Sequence, residues 1–345
     1  MSKYPESSQW RTQISNTVND MTSRIRQSNF ELLRLLSMLM VMICHAVGYI
    51  NETDLSGIDG VLRLAINQLA FVCVNVFVMI SGWFGIKATF KGACSLLFQV
   101  IFLAVLCLVV FALMGHPVSF RKDLFPYLTL GYGYWFVVSY LILYFLSPVL
   151  NKFCDSASKK EFQFVLTGFF LTEFVYGFTL NIGHFDFGFS PLFFIGLYLL
   201  ARYAHLYPGK LFAMDKWADL TIYLGVSVIS MFGLWFGYKW FGMGFHLNHY
   251  DSPLAVIAAL FLLLFFSKLH VQSKTINWLA ISAFAIYLIH ENALVSPYYH
   301  QLFHELKVAV PLGFYYPLLL TTVSFIGLLC ILIDKLRIFV WKKIS

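Results

Sequence analysis

Residues 30–50 read FELLRLLSMLMVMICHAVGYI. A helix needs about 20 predominantly apolar residues to cross a hydrocarbon core, and this run meets that length. It nevertheless carries Glu31, Arg34 and His45. A charged group at the centre of a membrane helix costs about 2.5–3.5 kcal/mol on insertion scales, so such residues mark function by default. At about 100° and 1.5 Å per residue, Arg34 and His45 project from one helix face, about 16 Å apart along the axis. Glu31, one turn before Arg34, shares that face to within about 60°. Arg34 sits low in the span, where its fixed charge and multiple donors suit phosphate groups. His45 sits high, with a ring that takes and gives protons near neutral pH.

The rest of the chain continues in the same manner. Of 345 residues, 59% are hydrophobic and only 12% charged, against roughly a quarter charged in soluble domains. Ten apolar segments are expected, at 30–50, 61–84, 93–114, 134–150, 162–180, 190–206, 217–236, 253–270, 275–295 and 312–333. They predict an all-α polytopic bundle, with a polar tail over 1–28, a membrane domain over 29–334 and a short basic tail over 335–345. No internal repeat stands out. Residues 1–28 lack the apolar core of a cleavable signal, so the first span is expected to act as an uncleaved anchor.

The net charge of +7 reflects orientation rather than nucleic-acid binding, because the basic residues form no continuous stripe. With the N-terminus inside, the outer connections hold only Arg63, Arg121, Lys122, Lys239 and Lys307 of the 24 lysines and arginines. Apart from Arg34 within its helix, all the others fall on the inner side, and that asymmetry predicts cytoplasmic termini. Cys44, Cys73, Cys94, Cys107 and Cys330 lie in apolar runs, and Cys154 is placed in a basic loop. No CxxC spacing occurs, so these read as packing residues. The pairs His246/His249 and His300/His304 read as solvated or headgroup-level side chains. No metal is expected, since neither pair has a third ligand at motif spacing.

A second polar cluster lies in the ninth segment, where INWLAISAFAIYLIHENALV places Tyr287, His290 and Glu291 in the outer half. That is the depth of His45. A carboxylate beside an imidazole orients it and supports a general base. An ordinary interhelical hydrogen-bond network is the plainer alternative.

These residues resemble acyltransferase family 3, bacterial membrane enzymes that O-acylate cell-surface carbohydrates. The hallmark is an Arg, ten residues, then a His in the first helix, here Arg34 to His45. Further resemblances are VNVFVMISGWF (74–84), YWFVVSYLILYFLSPVLN (134–151), FFIGLYLLARY (193–203) and AIYLIHEN (285–292). The resemblance implies no bound cofactor. Acyl-CoA, usually acetyl-CoA, would be the co-substrate, approached from the cytoplasm, with a carbohydrate hydroxyl as acceptor in the bacterial inner membrane. It assigns His45 as base or acyl-handling residue, Arg34 to the donor's charged part and Glu291 to an accessory role. Glu31, Trp135, Tyr287 and His290 are the expected substrate-binding residues. Relatives often carry further basic residues after the SGxF block, where this chain has only Lys87 and Lys91. They also often carry a fused extracytoplasmic domain, which is not expected here. Direct transfer and an acyl-enzyme both fit. The main rival is a transporter or flippase of lipid-linked saccharides, in which the same residues would serve passage or proton coupling.

Overall fold

The computed structural model describes residues 26–48, 57–130, 134–182, 185–244 and 246–344. Most of the polar N-terminal tail, with Glu52, Asp54 and His184, lies outside the described residues. The fold is all-helical, with no strand among the described residues. Its α-helices are α1 (Ser28–Val47), α2 (Gly57–Ala70), α3 (Cys73–Phe84), α4 (Phe90–Leu113), α5 (Phe125–Leu128), α6 (Trp135–Ser156) and α7 (Lys159–Thr172). They continue as α8 (Pro191–Leu206), α9 (Lys216–Phe241), α10 (Pro253–Ser267), α11 (Lys274–Ala280), α12 (Ala283–His290), α13 (Ser296–Ala309) and α14 (Leu312–Ile344). Among the described residues, seven helical stretches are long and apolar enough to cross a membrane: Ser28–Val47, Gly57–Phe84, Phe90–Leu113, Trp135–Ser156, Lys159–Thr179, Lys216–Phe241 and Leu312–Ile344. The other three expected segments are shorter (α8 and α10) or broken (α11 and α12).

α1 is the hub. It packs against α2, α3, α10, α11, α12, α13 and α14, and Leu33 and Met42 on it are completely buried. At its N-terminal end Asn29 Nδ2 donates to the Phe266 carbonyl at 2.9 Å, and Ser28 Oγ accepts from Ser273 N at 2.9 Å. That end is tied to the turn between α10 and α11, which leaves the His45 end to meet α12 and α13. α3 and α8 approach closely at Gly82, where a Cβ would fall 2.3 Å from the Tyr198 carbonyl oxygen. Outward faces present Val109, Phe232 and Phe325, side chains that lipid solvates at no cost.

Two helices expected to be continuous are broken, and in each case a side chain satisfies a freed backbone group. Between α2 and α3 the Tyr223 hydroxyl donates to the Leu69 carbonyl at 2.7 Å. Between α11 and α12 Lys335 Nζ reaches the Trp278 carbonyl at 2.7 Å and Ser282 Oγ at 3.0 Å. A break at membrane depth is tolerable only with such partners. Three further differences stand out. Residues 335–344 continue the last helix, with Arg337 buried against Asp334 at 2.7 Å. Cys154 lies buried within α6 rather than in a loop. His300 and His304 sit on α13, an amphipathic helix whose low apolar content hides it from a search for spans.

Candidate active site

The site forms where the C-terminal ends of α1 and α12 converge. His45 occupies the last turn of α1 and His290 the last turn of α12. α12 stops there because its terminal groups find tyrosine partners: Tyr134 Oη donates to the Leu288 carbonyl at 2.5 Å, and Ala293 N donates to Tyr127 Oη at 2.5 Å. Asn292 Oδ1 accepts from Leu294 N at 3.0 Å. The chain therefore turns at Glu291 instead of continuing to residue 295, and the turn brings the Glu291 carboxylate to His45.

Three polar groups meet. His45 Nδ1 is 2.9 Å from Glu291 Oε1 and 3.0 Å from His290 Nε2. His290 Nδ1 lies 2.6 Å from the Ile286 carbonyl oxygen. A carbonyl only accepts, so His290 Nδ1 must carry the proton, and its Nε2 in the neutral ring is an acceptor. Glu291 and His290 then both present lone pairs to His45 Nδ1, so that nitrogen holds a proton shared between them. His45 Nε2 is left as the basic ring atom. Two helix C-termini and one carboxylate also place negative potential where an imidazolium would form.

His45 and Glu291 border a cavity of about 600 Å³. Its wall opposite in character is aromatic: Trp135 lies 4.6 Å from Phe189 and 5.8 Å from Tyr250, ring centre to centre, and Tyr250 stacks on Phe71 at 4.8 Å. The α2–α3 break puts Phe71 there, and Asn75 Nδ2 holds the Tyr250 carbonyl at 2.9 Å. Tyr287 lines the same cavity, and its buried hydroxyl has no hydrogen-bond partner among the described residues.

Of the candidates read from sequence, His45, Glu291, Trp135 and Tyr287 thus share one cavity, with His290 buried directly behind His45. Arg34 and Glu31 do not join them. They form a separate group three turns down α1, where Glu31 lies 3.5 Å from Arg34 Nη1 and 3.5 Å from Arg26 Nη1. Elsewhere in the bundle the Tyr140 hydroxyl bonds Ser81 Oγ at 3.0 Å. His300 and Tyr299 were missed. His300 borders the cavity with its ring 6.5 Å from that of His45. Tyr299 donates to the Met42 carbonyl at 2.7 Å and packs 5.4 Å from His290. The four-residue spacing of buried Tyr299 and Phe303 is the signal that could have revealed this amphipathic helix.

His45, His290 and Glu291 offer ligand atoms all within 4.8 Å of one another, a grouping compact enough to hold a cation. The 2.9 and 3.0 Å separations equal those of direct hydrogen bonds, and one shared proton accounts for them.

Comparison with known proteins places the chain. A family model described as an acyltransferase domain, that of acyltransferase family 3, matches residues 27–337. No curated protein and no solved structure gives a significant match. The match takes in both polar groups of α1, the broken helices and the α12 turn. The chain belongs to acyltransferase family 3, and its apolar helices make it a multi-pass membrane acyltransferase.

Proposed function

We propose that the protein moves an acyl group, most simply acetyl, from cytoplasmic acyl-CoA to a hydroxyl of a surface polysaccharide or its lipid-linked precursor. The observation that carries this reading is the placement of His45. Its Nδ1 proton is held by Glu291 and His290, and its Nε2 is left for the cavity. His45 Nε2 takes the proton of the acceptor hydroxyl as that oxygen attacks the thioester carbonyl carbon. The carbon–sulfur bond breaks, and the leaving thiolate recovers the proton from His45. Glu291 keeps the ring oriented and offsets its transient charge. The aromatic wall of Trp135, Phe189 and Tyr250 suits the apolar faces of a sugar ring.

Arg34, with Glu31 bracing it, holds the charged part of the donor at the opposite end of α1. A pantetheine arm lying along α1 would bridge the roughly 16 Å between the two residues. In this arrangement the seven long helices, α8, α10 and the α11–α12 pair make ten crossings of a bacterial cytoplasmic membrane. Both termini would face the cytoplasm, an orientation that the lysine and arginine asymmetry supports. Membership of an acyltransferase family favours this over a flippase that would use the same residues for passage.

The test is transfer of label from acetyl-CoA to a glycan acceptor in proteoliposomes. The folded His45→Ala variant should lose about 10²–10⁴-fold in rate, the usual contribution of a general base. Undiminished transfer by that variant would overturn the mechanism. Movement of glycan across the bilayer without acylation would favour the flippase.

A further inference from the structure

The cavity that His45 and Glu291 border also has an amide lining. Asn67 on α2 and Asn248 in the connection between α9 and α10 both face it. Gln68, buried beside them, joins the two. Its Nε2 donates to Asn67 Oδ1 at 3.1 Å and to Asn248 Oδ1 at 3.0 Å. Its Oε1 accepts from Ser230 Oγ on α9 at 2.8 Å. An amide nitrogen carries two N–H donors, so Gln68 spends both on the asparagines, and the Ser230 bond holds its amide in that sense. The consequence falls on the asparagines. With each Oδ1 turned to Gln68, each side chain is left with its Nδ2 donors, and neither Nδ2 bonds a partner among the described residues. Asn67 is only 4% exposed. A donor left idle in so closed a wall is costly unless a ligand takes it up.

We propose that Asn67 and Asn248 determine acceptor specificity, that Gln68 positions them, and that the group they receive is the carbonyl oxygen of an acetamido sugar. The proposal rests on the reading of this cavity as the carbohydrate site of an acyltransferase. A hydroxyl donates as well as accepts, so almost any polar wall satisfies it. A carbonyl oxygen only accepts, has two lone pairs, and matches a wall that offers donors alone. Phe71, whose N–H donates to the Asn67 carbonyl at 2.8 Å, lines the same cavity and supplies an apolar neighbour for the acetamido methyl. A site built to hydrogen-bond one substrate group rejects the analogue that lacks it, because its own polar groups are then left unpaired.

The test uses the full chain in phosphatidylcholine nanodiscs, with tryptophan fluorescence reporting binding of N-acetylglucosamine and of glucose. N-acetylglucosamine should bind about tenfold or more tightly, the value of one to two neutral hydrogen bonds. Asn248→Asp should erase that preference, since a carboxylate keeps the bond from Gln68 and offers no donor. Gln68→Glu should go further. A carboxylate at that position only accepts, so both asparagines turn their Nδ2 groups towards it and their Oδ1 atoms into the cavity. Glucose should then bind at least as tightly as N-acetylglucosamine. Asn248→Asp, at a half-buried position, keeps the test readable if Gln68→Glu fails to fold, and Arg121→Gln, on an exposed turn, should keep the preference. Failure of the parent to prefer N-acetylglucosamine would overturn the subsite. So would variants that weaken both sugars in proportion and leave their ratio, the mark of a packing role alone. Acetyl transfer from acetyl-CoA, measured on the same preparations, separates the two claims. Transfer to a glycan without the acetamido preference removes only the subsite, and the preference without transfer removes the acyltransferase mechanism.

Discussion

His45 Nδ1 lies 2.9 Å from Glu291 Oε1, joining the ends of two helices from opposite ends of the chain. The bond fixes which nitrogen of His45 is basic, and that dependence makes it testable. Glu291→Gln keeps the size of the side chain but can present an amide N–H to Nδ1. The proton would then move to Nε2 and occupy the atom that must accept one. A wrong tautomer of this kind is costly in hydrolases built on the same logic. Transfer should fall about 10²–10⁴-fold, with the KM for acyl-CoA nearly unchanged. A KM effect without loss of kcat would mean that Glu291 binds donor rather than orienting His45.

Chelation addresses the same trio. If a shared proton holds His45, His290 and Glu291 together, prolonged dialysis against EDTA should leave transfer and thermal stability as they were. Zinc bound by two ring nitrogens at 2.0–2.1 Å would set those nitrogens about 3.3 Å apart, wider than the 3.0 Å between His45 and His290. Loss of activity on chelation, restored by zinc, would replace the tautomer assignment with a metal site.

Much of this was legible in the sequence because membrane helices obey two strong rules. Long apolar runs locate the spans, and ionisable residues inside them are too expensive to be incidental. Arg34, His45, His290 and Glu291 were found in that way, and equal depth along their helices was enough to pair His45 with Glu291. Other features follow weaker rules. The breaks at Phe71 and Ile281 depend on Tyr223 and Lys335, partners about 150 and 50 residues away, and apolar run length does not register them. α13 is amphipathic, so His300 looked like a loop histidine. The Lys307–Asp59 ion pair joins α13 to α2 at 2.7 Å, an encounter set by tertiary packing alone.

The bundle also contains an ion pair whose loss should be felt in stability. Asp219 on α9 is fully buried, and its carboxylate is bonded by Lys268 at the end of α10. Lys268 also donates to the Met214 carbonyl at 2.7 Å. Lys268→Met should destabilise the protein by about 3–5 kcal/mol, because it strands a charge in the interior. Adding Asp219→Leu should recover most of that loss, since a well-packed apolar pair removes the stranded charge. Unfolding midpoints in detergent would show it. A double variant no better than the single would mean that the helices need the ion pair itself.

Stability should depend on pH through two groups in the connection between α9 and α10. Burial pushes the Asp251 carboxyl up to about 6, against a smaller opposing effect of its own backbone bond and of His246. Burial also pushes His249 down to about 4, helped by repulsion from His246. The signs oppose. From about pH 4 to 6 the folded chain holds the Asp251 proton while an unfolded aspartate has released its own, so this group lowers stability as pH rises. Over about pH 4 to 6.5 an unfolded histidine holds a proton that folded His249 does not, so this group raises stability with pH. Asp251→Asn should therefore steepen the rise and leave the variant more stable than the parent above pH 6. His249→Phe, which preserves the ring packed 4.0 Å from Phe187, should remove the rise and gain stability below pH 6. Unfolding midpoints measured across pH 4 to 8 decide the matter, and parallel curves for parent and both variants would show that neither group titrates as its burial implies.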